Sequence, residues 1–305
     1  MLRKMLRAVA GLVLVLVTIV GCQQVRNSGS DPMPAPAPQA LRLATYNVHY
    51  IILGRETGPW SLADWDRRKG PLDLAFKAVD ADLMAFQEME SFGGGSAGRV
   101  NLALDHLLDN NPDYAAAAVG PVDVFPSTQP ILYRHDRLEP LDQGWFFFSD
   151  TPDVIYSRTF NGSYPAFASW AQFRDQATGA AFRVVNLHTD YASLSNREQS
   201  IALVAARIKP WIDAQETVFV LGDFNARLGS PILQILGDLG VDYAPIQGAT
   251  FHFNRGLNLF GAIDHLGYVG GPQLVAGPFV LREKFAGEWP TDHYPVAADF
   301  IMPPG

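Results

Sequence analysis

The chain has 305 residues, 48% of them hydrophobic, a formal charge of −8 and one cysteine, Cys22. A single cysteine excludes a disulfide framework within the chain, and the acidic balance gives poor non-specific grip on a polyanion, which needs Lys and Arg against phosphates. Length and apolar content suit one large domain with a sizeable core.

The first residues, Met1 to Arg7, are basic; an apolar stretch from Ala8 to Val20 follows and ends in Gly21-Cys22. This order reads as a secretory signal, not a fold element. A lone cysteine at the end of the apolar stretch reads as an acyl acceptor, which would tether the chain to a membrane without spanning it. The pattern resembles a bacterial lipobox, with residues 1–21 as the lipoprotein signal peptide and Cys22 as the lipidated first mature residue. Gln23 in the next position implies, by similarity to Gram-negative sorting patterns, a cell-envelope lipoprotein of the outer membrane facing the periplasm. Loss of the signal removes three basic and no acidic residues, taking the net charge from −8 to about −11. Residues 22–40 contain Asp31-Pro32-Met33-Pro34-Ala35-Pro36-Ala37-Pro38 and read as a Pro/Ala-rich tether, extended and disordered. No second apolar stretch is long enough to span a bilayer. Residues 41–305 are expected to form the one folded domain.

Within that domain, Leu43 to Tyr46 is a strand-like run leading into Asn47. Ser61-Leu62-Ala63-Asp64 reads as a helix start, and Gly70-Pro71 is expected to break or restart that helix before Leu72 to Val79. Leu83 to Phe86 is an apolar strand leading into Gln87-Glu88. Gly93-Gly94-Gly95 lacks the Lys of a phosphate loop and reads as a flexible loop beside the site. Asn101 to Leu108 has helical spacing, and Ile131 to Tyr133 is a short strand leading into Arg134. Ala168–Phe173 and Ala181–Leu187 flank a Gly-containing loop and predict a hairpin. Ser195-Asn196-Arg197-Glu198 predicts a capping-box helix running toward Lys209. Val218 to Leu221 is a buried strand leading into Gly222-Asp223-Phe224-Asn225. Pro231 to Leu239 reads as a short helix closed by Gly240. Hairpins mixed with helical crossovers suggest mixed sheets covered by helices.

The strand ends carry the chemistry. Asn47, Glu88, His188, Asp223, Asn225, Asp264 and Asp292-His293 supply carboxylates, carboxamides and imidazoles that can converge on one end of a sheet, where ligand sites of α/β sheets lie. Asp223 and Asn225, two residues apart, combine a group that only accepts hydrogen bonds with one that also donates them. Other chemistries are missing: there is no cysteine nucleophile beyond the signal, no G-x-S-x-G elbow, no H-E-x-x-H helix and no Gly-rich loop with Lys.

The ordered set T-Y-N, Q-E, I-L-Y-R, N-L-H-T, G-D-F-N, I-D-H and T-D-H-Y-P resembles the endonuclease/exonuclease/phosphatase superfamily, over roughly residues 41–301. The commoner spelling of the last motif is S-D-H; Thr291 keeps the hydroxyl. The resemblance implies an α/β four-layer sandwich, two packed mixed β-sheets flanked by helices. It implies a metal-dependent phosphoester hydrolase using Mg²⁺, with Mn²⁺ as a substitute. It assigns Glu88 as leading metal ligand, with Asn47 beside it and Asp292 approaching from the other side. Asp223 would activate water, Asn225 would hold the phosphate, and Asp264 would orient and charge His293. His188 would donate at the phosphate, and Tyr133 and Arg134 would bind substrate. His265 is expected to be structural, while Arg197 and the Trp65–Arg68 stretch are open candidates for substrate contact. The substrate class stays a phosphoester of a small molecule, lipid headgroup or nucleic acid, acted on by a monomer with no protein partner implied. The alternatives are an envelope nuclease and an inactive binding module. The complete site set argues against the module, and the scarcity of basic residues between the loop aromatics argues against the nuclease.

Overall fold

The computed structural model describes residues 2–29, 32–93, 100–126, 128–161 and 164–303. In chain order the elements are α1 (Leu2–Asn27), β1 (Leu41–Asn47), β2 (Ile51–Ile52), α2 (Leu62–Val79), β3 (Leu83–Gln87), β4 (Ser91–Phe92), α3 (Leu102–Asn110), β5 (Tyr114–Ala117), β6 (Ile131–Arg134), β7 (Leu138–Phe147), β8 (Phe167–Asp175), β9 (Ala181–His188), α4 (Leu194–Asp213), β10 (Thr217–Asp223), α5 (Pro231–Gly237), β11 (Asp242–Tyr243), β12 (Asp264–Val269), β13 (Gln273–Val280) and β14 (Val296–Ile301).

Two six-stranded sheets carry the fold, in the orders β13-β14-β1-β3-β6-β5 and β11-β12-β10-β9-β8-β7. Each is mixed: β1–β3 and β9–β10 are parallel, and the other pairs are antiparallel. The central strands are buried on both faces, which is why they read as continuous apolar runs. Their two-residue periodicity divides neighbours between cores. In β10, Phe219 and Leu221 join Leu43, Ala85, Phe182 and Phe300 between the sheets. Val218 and Val220 face the helical layer instead, with Ile201, Val204, Ile208, Ile232 and Leu236. On the other sheet Ala44, Met84 and Phe86 pack against Leu72, Phe76, Val79 and Leu107. The result is the four-layer sandwich, helix on sheet on sheet on helix.

Three local expectations are corrected. Helix α2 runs without interruption from Leu62 to Val79, with Pro71 inside it. Proline removes one helical N–H, but Trp65, Arg68, Leu72, Ala75, Phe76 and Val79 form one buried face on both sides of it, and Ser61 caps the start. Packing therefore holds the helix across the proline. Helix α4 is capped by Ser193, not Ser195: Ser193 Oγ accepts from the Asn196 N–H at 3.2 Å. The helix starts two residues earlier because Asp190 Oδ1 takes the Ala192 and Ser193 N–H groups, while Ser195 Oγ accepts from Asn161. The 22–40 stretch, expected as an extended, disordered tether, touches the domain at both ends. Gln24 and Asn27 bond the 256–258 loop, Arg42 donates to the Pro34 carbonyl, and the Ala37 N–H reaches Asp299.

The hairpin β8–β9 forms as expected. Gly240, at φ 85°, closes α5 through Gly240 N–H to Gly237 and Val241 N–H to Leu236, a Schellman pattern. Of Gly93-Gly94-Gly95, Gly94 and Gly95 lie outside the described residues.

Candidate active site

Parallel strands β1, β3, β9 and β10 all end at one edge of the sandwich, and antiparallel β12 and β14 begin there. Register places Asn47 beside Gln87, and Asp223 between His188 and Asp264. Beneath this edge, buried carboxamides tie the sheets together. Gln87 Nε2 donates to Asn186 Oδ1 at 2.7 Å, and Asn186 Nδ2 donates to the Phe86 carbonyl at 2.8 Å.

The backbone is bent to present these groups. Gly222 sits at φ 145°, and a Cβ there would lie 1.9 Å from the Leu187 carbonyl oxygen. Only glycine lets β10 approach β9 so closely just before Asp223. Glu88 and Asn225 both occupy the left-handed region, at φ 54° and 45°. Such strain persists where surrounding structure imposes it, and it clusters at functional sites. Asn225 is held by its N–H on Asp223 Oδ1 at 2.8 Å and its Nδ2 on the Thr189 carbonyl at 2.9 Å.

Asn47 Nδ2 donates to Glu88 Oε1 at 3.1 Å and to Asp223 Oδ2 at 3.2 Å. His188 Nε2 faces the same two carboxylates from 3.8 and 3.7 Å, beyond hydrogen-bond reach. His293 Nδ1 lies 2.9 Å from Asp264 Oδ2, and its Nε2 lies 3.7 Å from Asp223 Oδ2. Thr291 Oγ1 bonds the Asn47 carbonyl at 3.1 Å and Asp292 Oδ1 at 3.2 Å, so Asp292 stands beside Asn47.

Electrostatics follow from this crowding. Burial and then the charge of Asp264 push the Asp223 carboxyl upward, against opposing pulls from His293, His188 and the Asn225 N–H. Burial disfavours a charged His293, but Asp264, through charge and hydrogen bond, followed by Asp223 and Asp292, outweighs it and raises the imidazole above its ordinary value. Glu90, just beyond Glu88, is pushed up to about 7 by burial and by Glu88.

Asp223, Asp264 and His293 lie close enough together to hold a metal. A His293 that is protonated and bonded to Asp264 has no lone pair to give, so that trio is a charge arrangement, not a ligand set. The oxygens of Glu88 and Asp292, beside Asn47, fit a hard divalent cation better. Among the described residues neither carboxylate has a Lys or Arg within ion-pair distance. Asn47 turns its NH₂ toward Glu88, and its Oδ1 takes the His49 N–H at 3.2 Å. It would offer a cation oxygen only with the carboxamide turned over.

The edge thus gathers Asn47, Glu88, His188, Asp223, Asn225, Asp264, Asp292 and His293. Tyr133 and Arg134 are not part of it, which corrects their reading as substrate contacts. Strand β6 runs antiparallel to β3, with Tyr133 opposite Leu83, so its last residues reach the opposite edge. The Tyr133 ring packs on Phe173 in the central core, and Arg134 pairs with Asp80 and stacks on Tyr114.

Arg68 and Arg197 position loops. Arg68 is buried and donates to the Val48, His49 and Pro290 carbonyls, tying the Asn47 loop to the Asp292 loop. Arg197 donates to the Asp190 and Tyr191 carbonyls beyond His188. His265 is structural, its Nε2 on the Ala226 carbonyl. Sequence reasoning passed over His49, at φ 33°, and Thr189, whose hydroxyl bonds the Phe224 carbonyl. The signal for His49 was its place just after T-Y-N, and for Thr189 its place as the last residue of N-L-H-T.

The profile described as the Endonuclease/Exonuclease/phosphatase family matches residues 44–293. The comparison with curated proteins found no match. Among solved structures, the chain is similar to a mannosyl-6-phosphatase from Bacteroides thetaiotaomicron, at 23% identity and TM-score 0.69, covering 86% of this chain and 100% of that one. It is similar to an endonuclease/exonuclease/phosphatase from Bacteroides vulgatus at 24% identity and TM-score 0.70, with 86% and 98% covered. It also matches D. rerio TDP2 complexed with single strand DNA product, at 14% identity and TM-score 0.59, with 86% and 98% covered. The strand-end constellation and the extent of the profile match make this chain a member of the endonuclease/exonuclease/phosphatase family, a metal-dependent hydrolase of phosphoester bonds.

Proposed function

We propose that the chain is a Mg²⁺-dependent phosphoesterase of small-molecule or lipid-headgroup substrates, with residues 41–305 as its catalytic domain. We further propose that residues 1–21 are a signal peptide and that Cys22 carries acyl chains, holding the enzyme at the cell envelope, on the periplasmic face of the outer membrane. The N-terminal support is a helix over residues 3–27 that is apolar and long enough to cross a membrane. The observation that carries the chemistry is Asp223 set between Asn47, His188 and the His293–Asp264 pair at one sheet edge.

A divalent cation at Glu88 and Asp292 would neutralise phosphoryl oxygens and polarise the phosphorus centre. Asp223, made more basic by burial, accepts the proton of the attacking water. Its Oδ1 is fixed by the Asn225 N–H, and its Oδ2 takes the Asn47 Nδ2–H between the His188 and His293 rings. The imidazolium of His293, kept charged by Asp264, stabilises negative charge growing on the phosphoryl group. Asn225 has one Nδ2 hydrogen on Thr189 and a second to give to a phosphate oxygen. His188, mostly buried and facing Glu88 and Asp223, donates to the phosphoryl group.

The net negative charge disfavours long nucleic acid as substrate. The test is a hydrolysis screen of the protein with Mg²⁺, with Mn²⁺ and with EDTA. Its substrates are a phosphodiester dye, nucleotides, mannose 6-phosphate, inositol phosphates, sphingomyelin and plasmid DNA. Metal-dependent turnover of a small or lipid phosphoester is expected. Plasmid cleavage as the dominant activity would overturn the substrate class in favour of a nuclease. Tight binding without turnover of any member would favour a binding module.

A further inference from the structure

A cleft of about 500 Å³ opens between the end of α1 and the loops after β10, lined by Gln23, Arg26, Asn27, Arg227, Phe260 and Gly261. We propose that it is a binding site for the anionic phosphate headgroup of a membrane phospholipid. This rests on the reading of Cys22 as the membrane attachment point.

The first observation is charge. The Arg227 carbonyl accepts the Ser230 N–H, but among the described residues the side chains of Arg26 and Arg227 have neither an ion pair nor a hydrogen bond. In the same chain Arg42, Arg134, Arg137 and Arg183 each meet a carboxylate. Two cations share one concave surface without a counter-charge, in a chain of net charge −8. An anion between them relieves their repulsion, and guanidinium groups match phosphate oxygens. The Arg227 stem passes over Gly261: its Cδ lies 3.7 Å from where a Cβ on that glycine would stand.

The second observation is the anchor. Cys22 is exposed and lies one helical turn before Arg26, on the same face of α1. Acyl chains leaving Cys22 would enter the bilayer beside the cleft, so Arg26 and Arg227 would stand at headgroup level. Phe260, 47% exposed on the rim, suits the same interface.

The third observation is rigidity. Gln24 Nε2 donates to the Gly256 carbonyl at 2.9 Å, and its Oε1 accepts the Asn258 N–H at 2.7 Å. Asn27 Nδ2 bonds the Asn258 carbonyl at 3.1 Å, and the Asn27 carbonyl takes the Ala249 N–H at 3.0 Å. Asn258 in turn accepts from the Tyr294 hydroxyl at 3.1 Å, next to His293. A ring series of Phe260, Phe253, Phe251 and His293 runs from the cleft to the catalytic edge. A headgroup seated between the arginines would therefore fix how the catalytic mouth faces the membrane.

The test uses the full acylated protein carrying Glu88→Ala, in neutral micelles, titrated calorimetrically with dihexanoylphosphatidylglycerol, dihexanoylphosphatidylcholine and inorganic phosphate. Saturable binding of the phosphatidylglycerol is expected, weakened about 10-fold or more by Arg26→Gln with Arg227→Gln and unchanged by Arg174→Gln. Without Glu88→Ala, the double variant should turn over a soluble phosphoester as the parent does and melt at the same temperature. Equal phosphatidylglycerol affinity in the double variant overturns the site. Inorganic phosphate or phosphatidylcholine binding as tightly as phosphatidylglycerol overturns the headgroup assignment. Fatty-acid labelling of the parent and of Cys22→Ser reports separately on the anchor, so a failed cleft and a failed anchor are told apart.

Discussion

His293 gives Nδ1 to Asp264 at 2.9 Å and turns Nε2 toward Asp223, 3.7 Å away. One imidazole thus links two buried carboxylates, and Asp264 supplies the largest favourable influence on its charge. Asp264→Asn keeps the shape and removes that charge. Burial then dominates, and the imidazole loses its proton at lower pH. Turnover is expected to fall by about 10²-fold or more, the scale of a lost electrostatic contact. The alkaline limb of kcat against pH should also move toward neutrality. An unchanged limb would show that His293 does not act as a cation.

Asp223→Asn and His293→Ala should each reduce turnover by roughly 10²-fold or more. Together they should cost less than the product of the two, because both groups act on one phosphoryl transition state. Circular dichroism should show both variants folded. Multiplicative losses would place the two residues in separate steps.

The chemistry-bearing strand ends were legible because burial on both faces makes the strands continuous apolar runs, so the first polar residue after each run stands out. Gly222-Asp223-Phe224-Asn225 is the clearest case, since its glycine is demanded by the Leu187 carbonyl. Strand direction was not legible. Tyr133-Arg134 ends a strand as Gln87-Glu88 does, yet antiparallel pairing of β6 sends it to the far edge. Helix α2 passing through Pro71 was hidden for a similar reason, because a buried face summed over many residues outweighs a local breaker. His49, Thr189 and the loop contacts of Arg68 depend on where separate loops meet, and no spacing within one segment encodes that.

Gly222→Ala offers a direct stability test. Its Cβ would lie 1.9 Å from backbone, whereas one at Gly179, also at positive φ, meets nothing within 4 Å. Gly179→Ala should cost about 1 kcal/mol, the backbone effect alone. Gly222→Ala should cost more than about 4 kcal/mol, in the range reserved for strain and clash. Denaturant midpoints of the two variants make the comparison, and equal shifts would mean that β9 and β10 part easily.

Asp175 provides a pH test remote from the site. Burial raises its carboxyl, but Arg137, the Ala177 N–H and the Thr178 hydroxyl outweigh burial and hold it below the ordinary value. A depressed folded value means that its stabilisation is present above the unfolded value and fades as pH falls through the folded one. Asp175→Asn should therefore destabilise by about 1–3 kcal/mol near pH 7, the scale of hydrogen bonds to a charged group. The gap from the parent should narrow toward pH 3. A gap independent of pH would assign the effect to packing of the hairpin turn.

Metal dependence makes the last test. Glu88 stands in a strained backbone conformation, with Asn47 at 3.1 Å and no Lys or Arg within ion-pair distance among the described residues. A carboxylate held in that way is best stabilised by a cation. Mg²⁺ should raise the melting temperature of the parent, since a ligand that binds only the folded state stabilises it by mass action. EDTA should abolish both the shift and the turnover. Glu88→Ala should lose most activity and most of the Mg²⁺-induced shift while melting, metal-free, no lower than the parent, because the substitution also removes repulsion among Glu88, Asp223 and Asp292. Calorimetric melting with and without Mg²⁺ checks each point. A Glu88→Ala protein that keeps the full Mg²⁺ shift would move the ligand role to other oxygens at the edge.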